Sequence, residues 1–237
     1  DAASLGDFES LWHKDLSIVE AGNVRGKGWS NVCTLELSDT KFYVKRQSNY
    51  FTRAPSSFFR KTPVVNVEFE KIKHFQRLGI PTLEVAYFGM RMQHGDMQAI
   101  LVTRSLDDYK PLDVFLANGL AFDLLSRLNK EVGRAVALMH EAGQLHANLS
   151  PKHLFVKQIE NEEFEVRFID LESSRSHFGQ RALKIRDLEK LNRTVRNVSR
   201  SGKLRTLLAY AGKSRVDKAL RCDIAYIEKR TASKKQH

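Results

Sequence analysis

"GQLHANLSPKHLFVK", residues 143–157, places His146, Asn148 and His153 within eight positions. Upstream, FDLLSRLNKEVGRAVALMHEAG carries Leu125, Leu128, Val132, Ala135 and Met139 at helical spacing, which predicts a long amphipathic helix closed by Gly143. Downstream, HLFVKQI and FEVRFID read as two short strands joined by the acidic turn Glu160-Asn161-Glu162. Three polar groups between a long helix and a buried strand point to a site. Asp170 ends the second strand. A carboxylate there either faces that site, where oxygen ligands suit Mg²⁺, or caps a turn. The histidine spacing does not match a zinc pair, and Cys33 and Cys222 are remote from it.

Toward the N-terminus the pattern changes. NVCTLEL and KFYVKR predict a hairpin turning at Ser38-Asp39-Thr40, and LEVAYFG and QAILVTR predict two more strands. Between them, NVEFEKIKHFQRLGIP puts Glu68, Ile72, Phe75 and Gly79 on one helical face. Gly79 ends that helix and Pro81 prevents its restart. Glu68 therefore lies on an apolar stripe, where a carboxylate must be paired or must reach water at the stripe's edge. Lys45, at the end of KFYVKR, is the natural partner, while Glu70 points the other way into solvent. Before that strand, the loop Arg25–Ser30 contains Gly26 and Gly28, which let backbone N–H groups approach an anion. A strand lysine shortly after such a loop can reach nucleotide phosphates.

Beyond residue 104 helices dominate. DVFLANG opens with Asp113 as a candidate N-cap, and RALKIRDLEKLN begins two or three further helices that end in a frayed polar tail, TASKKQH. Strands first and helices after predict an α+β fold of two lobes, residues 1–104 and 105–237.

Apolar content of 42% and charged content of 28% are those of a soluble globular chain. No apolar run approaches the roughly 18 residues of a membrane span, and DAASLGDFESLWHKD lacks the pattern of a signal peptide. Two distant cysteines make no disulfide framework and fit a reducing, cytoplasmic setting. The net charge of +11 implies an anionic partner: nucleic acid, an acidic membrane surface or a phosphorylated substrate. The basic stretch NRTVRNVSRSGKLR contains no aromatic residue, which argues against nucleic acid.

Gly loop, strand Lys, helix Glu, polar loop and strand-end Asp follow the order of the protein-kinase-like fold. The catalytic-loop pattern H-R-D-L-x-x-x-N aligns with His146-Ala147-Asn148-Leu149-Ser150-Pro151-Lys152-His153, and D-F-G aligns with Asp170-Leu171-Glu172. His153 in place of the loop Asn, the strings PKHLFV and RLGIPT, and FIDLE with the trailing Arg175 resemble the bacterial lipopolysaccharide-core kinase family. More narrowly they resemble its InaA-type acid-inducible branch. The resemblance runs from about Val24 to about Gly212. It implies a two-lobed fold with a β-rich N-lobe and an α-helical C-lobe. It implies that Lys45 binds ATP phosphates and pairs with Glu68, with Gly26, Gly28 and Val102 completing the nucleotide-binding set. It implies that His146, Asn148, Asp170 and Lys45 serve catalysis and that His153 and Asp170 hold Mg²⁺. The implied acceptor is a sugar hydroxyl of the lipopolysaccharide inner core or another phosphate-rich glycan, reached by a cytoplasmic protein in peripheral contact with the inner membrane. Only sixteen residues separate Asp170 from Asp187 and no A-P-E follows, which leaves little room for a peptide-seating segment.

The chain departs from the pattern in two places. Asn148 stands where these kinases carry Asp, and an amide cannot take a proton. General-base assistance is worth about 10²–10⁴-fold. Phosphoryl transfer, however, depends mostly on positioning and electrostatics. The expectation is an active kinase in which Asn148 accepts a hydrogen bond from the acceptor hydroxyl. The alternative is a pseudokinase that binds nucleotide or a partner without transfer. Tyr43 is the second departure: by alternation it shares Lys45's face and narrows the pocket, unless the strand is bulged.

Overall fold

A computed structural model describes residues 5–52 and 62–235 of the chain. It divides into two compact units, Asp1–Arg77 with Leu83–Asp107, and Leu78–Thr82 with Asp108–His237.

The first unit is built on a five-stranded antiparallel sheet of β1 (Ser17–Arg25), β2 (Gly28–Leu37), β3 (Thr40–Ser48), β4 (Val85–Gln93) and β5 (Asp96–Arg104), in the order β1-β2-β3-β5-β4. Two helices, α1 (Phe8–His13) and α2 (Val64–Arg77), accompany it. Strict alternation in β3 sorts its side chains. Phe42 and Val44 join Leu11, Leu35, Ile100 and Val102 in one core cluster, against which Phe8 and Trp12 of α1 pack. Each fully buried aliphatic or aromatic side chain in such a core contributes about 1.5–3 kcal/mol. Tyr43, Lys45 and Gln47 take the other face. There α2 buries Val65, Glu68, Ile72 and Phe75, and its Phe69 stacks on Phe88 of β4 at 4.0 Å. Gln47 ties helix to sheet: its Oε1 accepts the Val65 N–H at 2.9 Å while its Nε2 donates to Ser30 at 3.1 Å. One of α2's unpaired N-terminal donors is thereby satisfied. Past the helix end, Gly79 adopts φ +70°.

Neither β1 nor α1 is anticipated by the sequence pattern. β1 carries two register shifts, between Ile18 and Glu20 and between Glu20 and Asn23. Each breaks the two-residue alternation by which a strand is recognised.

The second unit centres on α4 (Phe122–Glu141), preceded by β6 (Lys110–Pro111) and α3 (Leu112–Ala117). After it come β7 (Gln144–Leu145), β8 (Leu154–Gln158), β9 (Phe164–Phe168) and β10 (Arg175–Ser176), then α5 (Arg181–Thr194), α6 (Arg200–Tyr210) and α7 (Lys218–Lys235). β8 and β9 pair antiparallel with β6 at their edge, and β7 pairs with β10. The predicted α4 stripe is buried at Leu128, Val132, Ala135 and Met139. Gly133 lets α6 cross closely, since a Cβ there would lie 2.3 Å from the Thr206 carbonyl oxygen. Among the described residues no helix is long and apolar enough to cross a membrane.

Two boundaries differ from expectation. Asp113 is not the N-cap of α3. Pro111 holds that position and Asp113 is the second helical residue, accepting the Val114 N–H at 3.0 Å. The tail TASKKQH does not fray at its start, because α7 continues to Lys235. The reason lies on α5, where fully buried Glu189 meets Arg193 at 2.8 Å, Lys234 at 3.6 Å and Arg230 at 4.0 Å. A buried carboxylate needs cations, and α7 brings two of them.

Candidate active site

In the first unit, Lys45 Nζ meets Glu68 Oε2 at 2.5 Å, with the lysine side chain 29% and the glutamate side chain 9% exposed. Strand alternation puts Lys45 on the α2 face, and the helical stripe brings Glu68 to it. Glu68 does not reach water at the stripe's edge, whereas Glu70 is exposed as expected. β3 pairs with β2 and β5 without a register shift, so the strand is not bulged and Tyr43 stands on Lys45's face. Lys41 lies 5.8 Å from the Tyr43 ring centroid. Gly26 and Lys27 form the tight turn of the β1–β2 hairpin, with Gly26 at φ +60° and Arg25 paired to Gly28. Gly28 belongs to β2 and has a packing reason to lack a side chain: a Cβ would lie 2.2 Å from the Asn49 carbonyl oxygen.

Val102 needs correction. It pairs with Val44 and is fully buried in the core cluster on the α1 side. Residues directly opposite in a ladder share a face. The residues on Lys45's face are therefore its partner Leu101 and Tyr43's partner Thr103.

In the second unit the polar loop and the strand end form one hydrogen-bonded cluster. His153 is buried; its Nδ1–H donates to the Asn148 carbonyl at 2.9 Å and its Nε2 lies 3.1 Å from Asp170 Oδ2. Asn148 Nδ2 donates to the same Asp170 oxygen at 3.3 Å. Lys190 of α5 donates to Asn148 Oδ1. The Asp170 side chain is 38% exposed, so the cluster opens at this carboxylate. His146 is fully buried, stacked on His153 with ring centroids 5.5 Å apart, and donates from Nε2 to the Ile169 carbonyl at 2.9 Å. It supports the backbone next to Asp170.

Two non-glycine residues here adopt the left-handed conformation, Ala147 and Asp170, both at φ 59°. Such backbone costs about 1 kcal/mol or more per residue and persists where surroundings hold it. Asp187 is one such support. Its Oδ2 accepts the backbone N–H of His146 at 2.8 Å and of Ala147 at 3.3 Å, and approaches His140 Nε2 at 3.4 Å. Burial pushes the pKa values of His140, His146 and His153 below the usual 6.5, so all three favour the neutral ring.

Asp187 and Lys190 are functional candidates that the motif reading left out. One signal was present: Asp187 lies between Ile185 and Leu188 on α5, and a carboxylate among buried apolar residues requires partners.

The neutral state of His153 bears on metal binding. With Nδ1–H donated to Asn148, Nε2 presents a lone pair to a carboxylate oxygen 3.1 Å away. Two electron-pair donors at that distance fit a cation between or beside them. The carboxylate suits Mg²⁺, and the imidazole widens the choice toward Mn²⁺.

The Lipopolysaccharide kinase (Kdo/WaaP) family matches residues 9–210. The chain belongs to this family. Family membership makes it a relative of lipopolysaccharide kinases, and the resemblance to that family is thereby borne out. No curated protein matches the chain. A solved structure of WaaP in complex with acyl carrier protein superposes with a TM-score of 0.70 at 19% identity, covering 95% of this chain and 91% of that one. That likeness shows the kinase-like α+β fold, with a strand-rich first part and a helical second part.

Proposed function

We propose that the chain uses Mg-ATP to phosphorylate a sugar hydroxyl of the lipopolysaccharide inner core. The observation that carries this reading is the His153–Asp170 donor pair, with the His153 ring kept neutral by burial and oriented by its hydrogen bond to the Asn148 carbonyl, in a chain that belongs to the family. Bound there, Mg²⁺ would neutralise phosphate charge and orient the γ-phosphoryl group. Lys45, fixed by Glu68, contacts the non-transferred phosphates, with Gly26 in the β1–β2 turn and Gly28 at the start of β2. Asn148 orients the acceptor hydroxyl with the second lone pair of Oδ1, the first being used by Lys190. The charge of +11 suits a phosphate-rich glycan and an anionic membrane surface as the place where it is met.

A second reading is favoured by Asn148 itself. Without a carboxylate at this position the chain binds nucleotide and transfers nothing. Transfer of labelled γ-phosphate from Mg-ATP to dephosphorylated deep-core lipopolysaccharide separates the two. Label in the sugar that disappears in Asp170→Ala supports the kinase; ATP binding with no label supports the pseudokinase.

A further inference from the structure

Two lysines stand near the cluster, Lys152 on the loop that carries Asn148 and Lys190 on α5. Lys152 is exposed, and Ser150 is buried within 3.3 Å of His153. The cation that reaches Asn148 comes from α5. Lys190 is half-buried and donates to Asn148 Oδ1. It stands three residues after Asp187, on the same side of the helix. One helix thus holds the loop twice, Asp187 by its backbone N–H groups and Lys190 by its side chain.

The polarity of these contacts fixes the Asn148 amide. An ammonium only donates and a carboxylate only accepts. The amide oxygen must therefore face Lys190 and the amide nitrogen must face Asp170. An ammonium also has three N–H groups, and the amide oxygen uses one.

We propose that Lys190 is a catalytic residue of phosphoryl transfer, contacting the oxygens of the γ-phosphoryl group while it orients Asn148. This rests on the kinase reading. In the step, the bond from the γ-phosphorus to the bridging oxygen breaks and its electron pair stays with ADP. The acceptor oxygen forms the new bond to phosphorus, and its proton passes to solvent water, since Asn148 cannot hold it. Charge spreads over the three equatorial phosphoryl oxygens, and a cation fixed beside them stabilises it without reorganisation.

The test is calorimetric titration of the full chain with Mg-ATP, Mg-ADP and a non-hydrolysable Mg-ATP analogue, for wild type, Lys190→Met and Lys190→Arg. A contact to the γ-phosphoryl group predicts that Lys190→Met loses about tenfold or more in affinity for ATP and the analogue, relative to ADP. Lys190→Arg should restore most of it. ATP and ADP affinities that stay unchanged, or fall together, overturn the proposal and leave Lys190 as a structural tie. Wild type that binds ATP, and loses it on Lys45→Met, keeps the nucleotide-binding site whatever Lys190 does, and the labelled-phosphate transfer assay then decides the kinase reading separately. Wild type that binds neither nucleotide sinks both. If Lys190→Met does not melt cooperatively, Lys190→Gln, which still donates to Asn148, gives the same comparison.

Discussion

The Lys45–Glu68 pair and the Asn148–Asp170–His153 cluster are built on different principles. The first joins one strand to one helix, and each partner sits where a simple period places it. Its two residues are 23 positions apart, and Gln47 on the same strand face caps the same helix. The second is assembled from a loop, a strand end and α5, and none of its hydrogen bonds follows a period. Left-handed backbone at Ala147 and Asp170 is part of that assembly. Two independent periodicities specify the first site, whereas the second depends on a remote helix arriving in register.

The sharpest way to break this contrast is to remove the remote support. Asp187→Ala leaves the His146 and Ala147 N–H groups without their acceptor. Each buried donor left unsatisfied costs about 1–3 kcal/mol. Transfer activity should fall at least as steeply as stability, while ATP affinity through Lys45 is largely kept. Thermal melting with calorimetry reads both, and a variant with native melting and native turnover would contradict the role given to α5.

A smaller effect is expected from the periodic pair. Lys45→Met strands Glu68 and should cost about 1–3 kcal/mol, less than the 3–5 of a fully buried pair because Lys45 is partly exposed. Glu68→Gln in the same background should return much of the stability without returning ATP affinity. Recovery of both together would mean that Lys45 serves the fold alone.

Acid should distinguish the regions next. His140 and His146 belong to the second unit, and burial holds both below 6.5. As pH falls through 6.5 the unfolded chain takes up protons before the folded one does. Stability is therefore complete above about pH 6.5 and declines below it. Melting temperature followed from pH 7.5 to 5 should drop, and His140→Gln should flatten the drop. A profile unchanged by that substitution would show that His140 does not contribute.

The mildest prediction concerns the sheet. Val102→Ala should cost roughly 1–3 kcal/mol through lost packing. ATP affinity should stay unchanged, because Val102 faces the α1 side. Bulk added at Thr103, on Lys45's face, should instead weaken ATP binding with little effect on melting.

These differences explain what was legible beforehand. The β2–β3 hairpin, β4, β5, α2, α4 and the β8–β9 pair all announce themselves by alternation or by helical spacing. Glu68 could be matched to Lys45 for the same reason. The resemblance puts Val102 in the nucleotide-binding set, and the continuous apolar run from Ala99 to Val102 does not tell which of its residues face Lys45's side. Only the ladder register decides that. Asp113 has the chemistry of a cap, but Pro111, two residues earlier, holds that position. The polar end of α7 carries no sign of its helicity, because the buried charge that holds it lies on α5.

What the chain by itself determines is the family, the strand-then-helix order, and Lys45, Glu68, Asn148, His153 and Asp170 as candidate site residues. These follow from local periods and motif spacing, which need no knowledge of distant segments. Only the tertiary structure brings Asp187 and Lys190 of α5 to the Asn148 loop. The physical reason is that unpaired buried N–H groups and an unfixed amide can be satisfied by any suitable side chain, and packing alone chooses which one arrives.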